Sequence, residues 1–365
     1  MLPRPLDGKS SIGDIRVGLD IGASKICVAV AERFRDGTIQ VLGIGMAPSR
    51  GVTRHGIVDC EAAAPCVRAA LIDAEIKSNV MIRNVLLAVP GGKVAPFGSG
   101  LTWDSIFEWE KICYTAQTDG ILQPVSLRDC TSAPGLHVVY GAHDRIQNSI
   151  RCLEGLGVEV ERSIFAPIAS AAALVCPIDK ERGILVIDIG EGMTHYAVYS
   201  GGALVQSDCL PIGGRQIAND LSRDLRIPEA RAQRLVIEEG SVWLDVPTFD
   251  DYQRVVLAPE PGFSGGEIER EMMNAIIHQG VCEILNRVKR RLINTGVRLD
   301  SLGGVRLSGG CYRIQGIEHL ALEIFDLFPA SRFRMRGIEA EPRILTDPRL
   351  ACAVGLVNLP APIGS

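Results

Sequence analysis

No apolar run in this 365-residue chain reaches the ~18–20 residues that a bilayer span requires, so no transmembrane helix is expected. Its eleven cysteines include no Cys-x-x-Cys, and their odd, scattered placement argues against a zinc site or a disulfide framework. Reduced, mostly buried thiols in a cytosolic protein fit better. Positive charge is not in excess either. A formal net charge of −5 argues against a general nucleic-acid binder. Met1 to Asp14 has no apolar stretch of the signal-peptide kind, and with Pro3, Pro5 and Gly8 it reads as a loose tail. What remains is 47% hydrophobic and 22% charged, a soluble globular composition long enough for two domains.

One short pattern occurs twice. The first copy is Asp20-Ile21-Gly22-Ala23-Ser24-Lys25, and the second is Asp188-Ile189-Gly190-Glu191-Gly192-Met193-Thr194. Each lies between two apolar runs, which predicts strand, tight turn, strand. An Asp closing one strand, with backbone N–H groups exposed in the following turn, suits a metal-bound phosphate. Both copies continue alike, through a Gly turn (Asp36-Gly37; Gly201-Gly202), a third strand, a loop and a helix. A repeat of this size predicts two like domains facing each other across a cleft.

The intervening segments are read from periodicity. Asp59 is placed to cap a helix over 60–77, with Ala63, Val67, Ala70, Leu71 and Ala74 on its buried face. The charged, Gly-containing stretch Ser49 to Asp59 is expected to be an ordered surface loop. Residues 93–142 are expected to form a small insert, with 105–116 read as a helix. An Ala-rich buried helix is expected over 164–175. Residues 228–296 form a helical block ending in a long helix over 267–294 whose core side includes Met272 and Ile276. The basic cluster at its end (Arg287, Lys289, Arg290, Arg291) reads as a solvated terminus favoured by the helix dipole. Gly213-Gly214 opens a helix, and Ser308-Gly309-Gly310 follows a strand. Paired glycines there let the backbone approach a flat ligand. His195 reads as a core histidine bonded to backbone, with a phosphate contact as the other possibility.

Together the three Gly turns resemble the phosphate-1, phosphate-2 and adenosine motifs of the actin, Hsp70 and hexokinase superfamily. Within it the chain resembles the bacterial cell-division FtsA family. The loop Ser49-Arg50-Gly51 through Gly56, Ile57 and Asp59 carries the sharpest match. Phe165 to Ser170, the run from Ala203 through Pro211, Gly213-Gly214 and Asp220, and Leu307 to Gly310 add to it.

The resemblance implies an α/β actin-like fold of two ribonuclease-H-like domains around a nucleotide cleft. It implies domain 1A at 15–92 and 143–180, an inserted subdomain 1C at 93–142, domain 2A at 181–227 and 297–359, and subdomain 2B at 228–296. ATP and Mg2+ are the implied cofactors. The implied nucleotide-binding residues are Asp20, Gly22, Ala23, Ser24, Lys25, Asp188, Gly190, Glu191, Gly192, Met193, Gly213, Gly214, Ser308, Gly309 and Gly310, with Asp20 and Asp188 at the metal. The implied partners are the C-terminal tail of FtsZ on 228–296, other divisome proteins and further copies of the chain in filaments. A cytoplasmic scaffold at the membrane face of the division site follows, not a metabolic enzyme.

Departures from the family pattern refine this expectation. Glu191 stands for a Gly, Met193 for a Thr and His195 for an Asp. A carboxylate at 191 repels phosphate, so at most weak ATPase activity is expected. No intrinsic membrane anchor is evident, since 350–359 lacks a charged face. Two other functions stay open, a PilM-like pilus-assembly adaptor and, less favoured, a small-molecule kinase. The Ser49 to Asp59 loop favours FtsA over the first. The second lacks a sugar-binding loop with a carboxylate base.

Overall fold

A computed structural model describes residues 13–54, 56–89, 93–96, 109–116, 122–124, 136–244, 253–327 and 333–359. Three strands, β1 (Asp14–Ile21), β2 (Lys25–Arg33) and β3 (Ile39–Pro48), form an antiparallel meander. A two-residue hairpin follows, β4 (Val52–Thr53) with β5 (Gly56–Ile57), and leads into α1 (Cys60–Ser78). Asp59 caps this helix, its Oδ1 accepting from the Ala62 amide at 3.1 Å. The five residues expected on the buried face of α1 are the five that are buried.

β6 (Asn84–Val89) then returns parallel to β1. Next come β7 (Lys93–Pro96), β8 (Trp109–Ala116), β9 (Leu122–Pro124) and β10 (Leu136–Ala142), ordered β7-β10-β8-β9 in a sheet of their own. The helix expected over 105–116 is therefore wrong for 109–116. That segment pairs antiparallel with β10, a long-range partner that overrides local helix propensity. Residues 105–108 lie outside the described residues. α2 (His143–Glu154) and β11 (Glu159–Phe165) complete the first half, with β11 parallel to β6.

α3 (Ala166–Leu174) and α4 (Pro177–Arg182) connect to the second half. There β12 (Ile184–Ile189), β13 (Thr194–Ser200) and β14 (Ala203–Leu210) repeat the meander. α5 (Gly214–Leu225) and α6 (Glu229–Glu238) follow. A hairpin of β15 (Arg254–Leu257) and β16 (Gly266–Glu269) precedes α7 (Arg270–Asn294). β17 (Val305–Ser308) lies parallel to β12. The sheet orders β11-β6-β1-β2-β3 and β14-β13-β12-β17 thus share one plan, a meander whose first strand takes a parallel neighbour. The chain ends in α8 (Ile317–Phe325), α9 (Pro342–Leu345) and α10 (Ala351–Asn358).

The long helix starts three residues later than expected, and its phase differs at the front. Met273 and Ile277 are buried, whereas Met272 is exposed and Ile276 only partly covered. Its basic end is largely partnered: Arg287 with Glu283, Lys289 with the Ile324 carbonyl, Arg290 with the Asn286 carbonyl.

Between the two sheets lie α3 and α10. Their core joins Cys27, Ala29 and Ala31 of the first sheet to Val186, Ala197 and Tyr199 of the second. Both helices are apolar on nearly every face, as a helix packed between layers must be. Small residues let them touch: a Cβ at Gly355 would lie 1.7 Å from the Ala169 carbonyl oxygen.

Candidate functional site

The repeat has a structural basis in paired hairpins. Asp20 lies opposite Cys27 and Asp188 opposite His195, each one residue before its turn. In both turns the Gly amide donates to the carbonyl three residues on, Gly22 to Lys25 and Gly190 to Met193, each at 2.9 Å. The turns open onto one cavity of about 370 Å³. Of the residues picked from sequence, Asp20, Gly22, Ala23, Ser24, Lys25, Asp188, Gly190, Glu191, Gly192, Met193, Gly214, Gly309 and Gly310 line it.

Gly213 and Ser308 stand behind this lining. Gly213 precedes the start of α5, where Gly214 and Arg215 dock their amides on the carbonyls of Gly190 and Glu191 at 2.9 and 2.8 Å. Ser308 is fully buried and donates its hydroxyl to Oδ2 of Asp188 at 2.9 Å. Ser170, at the heart of α3, donates to the same oxygen at 2.9 Å. Asp188 is thus fixed by two hydroxyls from different elements. Gly309 adopts φ +90°, and a Cβ there would lie 2.7 Å from Asp188 Oδ1 and 2.4 Å from the Ile189 carbonyl oxygen. Only glycine lets the third turn close on the second.

Charge in the cleft is balanced with care. Burial raises the Asp20 pKa, Asp188 adds to the rise, and Lys25 and a Cys352 hydrogen bond oppose it. Burial opposes the Lys25 charge, but Cys27, Asp20 and Asp188 outweigh it and hold the ammonium above its ordinary value. Lys25 Nζ donates to the Arg349 carbonyl at 2.6 Å, and Arg349 is itself forked onto Asp347. Cys311 and Cys352 also line the cleft. Burial pushes the Cys311 thiol up to about 12 and Cys352 well above its ordinary value.

Several lining residues carried no local signal. Arg215 pairs with Glu191, so the carboxylate expected to repel phosphate has a cation beside it. Thr53 and Arg54 come from the loop expected at the surface; Arg54 is exposed, and both also line the cleft. His195 lines it as well, but its Nε2 is buried with no hydrogen-bond partner, contrary to a histidine satisfied by backbone. Burial lowers its pKa, partly offset by Asp188. The lining carries five basic side chains (Lys25, Arg54, Arg215, Arg313, Arg349) against three acidic ones (Asp20, Asp188, Glu191). Such a cleft favours an anion over a cation.

Two meander sheets around a cleft, with central helices between them, define an actin-like fold. The chain is similar to a solved PilM-PilN type IV pilus biogenesis complex at TM-score 0.66 and 15% identity, covering 95% of this chain and 99% of that one. It is also similar to MreB 5 of Spiroplasma citri bound to AMPPNP, at TM-score 0.57 and 16% identity over 93% and 94%. In sequence, the family described as cell division protein FtsA matches residues 185–355. Cell division protein FtsA of Neisseria meningitidis serogroup B is 28% identical over 94% of this chain and 91% of its own. The chain thus has an actin-like fold and is similar to FtsA proteins over most of its length. Among the described residues, no helix is long and apolar enough to cross a membrane.

Proposed function

We propose that the chain binds Mg-ATP between its two halves and works as a cell-division scaffold rather than a metabolic enzyme. One observation carries the nucleotide reading: three Gly turns from distant parts of the sequence converge on one cleft whose basic side chains outnumber its acidic ones. In this reading the turns at 22–25 and 190–193 supply N–H donors to the phosphates. Gly309 and Gly310 pass the backbone along the base. The domain limits follow the family pattern, with 1A at 15–92 and 143–180, 1C at 93–142, 2A at 181–227 and 297–359, and 2B at 228–296.

The residues present fit Mg2+ as a companion of the nucleotide. Among the described residues no group of three or more His, Cys, Asp or Glu is arranged to hold an ion by itself. Mg2+ typically takes one or two carboxylates with substrate phosphates and water, and Asp20 and Asp188 supply that pair. Burial chiefly, with Asp188 adding to it, raises the Asp20 pKa, and a bound cation opposes both effects. When bound, the ion supplies charge neutralisation at the phosphates.

The partner reading rests on similarity to relatives named as cell division protein FtsA. The 228–296 block exposes Trp243, Leu244, Val256 and Met272, apolar side chains that a docked peptide such as the FtsZ tail could cover. Self-association in filaments and a place at the cytoplasmic membrane face belong to the same reading. The pilus-adaptor alternative has fold likeness at 15% identity in its favour.

Isothermal titration of the full chain with Mg-ATP tests the nucleotide reading. Gly310 has open space at its Cβ position, so Gly310→Arg fills the cleft without straining the backbone. The expected result is wild-type binding that this variant abolishes. No heat with ATP or ADP at high protein concentration overturns the reading. Hydrogen exchange with an FtsZ tail peptide tests the partner, and protection outside 228–296, or none, defeats it.

A further inference from the structure

Helix α1 is apolar on two opposite faces. The five buried residues of its inner face pack into the first-half core. On the outer face run Pro65, Ala69, Ile72 and Ile76, all exposed, with Ile72 at 47% and Ile76 at 76%. A helix that is apolar on both sides is ordinarily covered on both. Among the described residues nothing covers the outer side.

The spacing of this stripe is specific. Steps of four, three and four residues set the four side chains on one seam, as the a and d positions of a coiled coil do. The seam is about three helical turns long. Arg68 and Glu75, one heptad apart, border it on one side. Arg68 is exposed, and Oε1 of Glu75 accepts from the Ile82 amide at 2.8 Å, which orders that carboxylate. The charges on the other border are engaged with the edge of β3. Lys77 Nζ donates to the Ile44 carbonyl, and Asp73 Oδ2 accepts from the Met46 amide, each at 3.0 Å.

We propose that the outer face of α1 docks a second copy of the chain, whose own α1 lies antiparallel against it. One register satisfies both shape and charge. It sets Ile72 against Ala69 of the partner subunit and Ile76 against Pro65 of the partner subunit, so each isoleucine meets a smaller residue. The same register sets Arg68 against Glu75 of the partner subunit, and the two-fold axis repeats every contact. A parallel register stacks alanine on alanine and isoleucine on isoleucine, which leaves a gap beside a bulge. The antiparallel contact is isologous and closes on itself, so it makes a pair and not a filament. A seam this short makes the pair a weak one. It needs no nucleotide and stands apart from the reading of the cleft.

Sedimentation equilibrium of the full chain without nucleotide, at up to about 100 μM protein, tests this. The expected result is a monomer–dimer equilibrium that Ile76→Asp weakens about tenfold or more. Ile76 is exposed, and an unchanged unfolding midpoint will verify that the variant folds. Arg68→Glu and Glu75→Arg are each expected to lose the pair, because each sets like charges against one another. Mixed in equal amounts, the two variants are expected to recover it, since every Glu at these positions then meets an Arg. A wild-type chain that stays monomeric, or a pair that Ile76→Asp leaves intact, overturns the proposal. Charge variants that pair as well as wild type, or whose mixture does not pair, overturn the antiparallel register and the proposal with it. Flotation on vesicles of anionic lipid that Ile76→Asp abolishes, with the chain monomeric in solution, would make a membrane the cover of this face and overturn it too.

Discussion

Nε and Nη2 of Arg215 both donate to one carboxylate oxygen of Glu191, the first at 2.8 Å. The pair sits on the second Gly turn, where the sequence alone shows only a negative charge. Arg215 is about half exposed and Glu191 mostly covered, so solvent screens their attraction and its weight in stability is small. If the cleft takes a nucleotide as proposed, the pair's weight in binding is larger, because it sets the charge that a phosphate meets. Arg215→Ala should weaken Mg-ATP about tenfold by exposing the carboxylate. Glu191→Ala should leave affinity equal or tighter, and the double variant should return close to wild type. A double-mutant cycle measured by titration checks this, and additive single effects would show that the two residues do not act as a pair.

Asp20 should stabilise the nucleotide complex and destabilise the free chain. Its folded pKa is raised, first by burial and then by Asp188. A carboxyl whose folded pKa lies above its unfolded value favours folding when protonated, and that advantage is lost as pH rises through the folded value. At pH 7 Asp20→Asn should therefore make the ligand-free chain more stable. The gain should shrink to nothing at pH values below the unfolded carboxyl pKa of about 3.9. Denaturant titrations at pH 7 and at low pH measure both ends. A variant less stable than wild type at pH 7 would mean that Lys25 depends on Asp20 more than Asp20 suffers from burial.

The paired hairpins were legible because their signals are local: apolar alternation, an Asp and a Gly turn within about ten residues. The cap at Asp59 and the buried face of α1 were legible for the same reason. The partners of the site were not. Arg215 meets Glu191 across 24 residues, and Ser308 meets Asp188 across 120. No periodicity encodes such pairs; the sheet order does. The strand at Trp109–Ala116 was misread as helix because its pairing with Leu136–Ala142 is equally remote. At the front of α7, Met272 and Met273 are adjacent and equally apolar, so only packing decides which faces inward.

Cysteine reactivity should divide by burial. The thiols of Cys27 and Cys311 are pushed up to about 12, chiefly by burial, and Cys352 also lies well above its ordinary value. At pH 8 these three are neutral and poorly nucleophilic. Cys60, at the start of α1, is exposed. Brief treatment of native protein with iodoacetamide, followed by peptide mass spectrometry, should find Cys60 modified and Cys27, Cys311 and Cys352 intact. Unfolding in guanidinium should make all four reactive. Early modification of Cys352 in native protein would mean that the cleft floor opens far more often than its packing allows.

Gly355 should be the most demanding position between the two halves. It lies in α10 where that helix meets α3, and a Cβ would stand 1.7 Å from the Ala169 carbonyl oxygen and 2.6 Å from its carbon. Both are backbone atoms of a buried helix, so no side-chain rotation relieves the clash. The helices must separate, and the core they share with both sheets must loosen. Alanine has the higher intrinsic helix propensity, by about 1 kcal/mol, so propensity alone predicts that Gly355→Ala stabilises the chain. Overpacking of a tight core typically costs about 1–3 kcal/mol or more, and a contact this short belongs at the upper end. Gly355→Ala should therefore lower stability by about 2 kcal/mol net of propensity, read as a lower denaturant midpoint with an unchanged slope. An unchanged or higher midpoint would show that α3 and α10 lie farther apart than this packing requires.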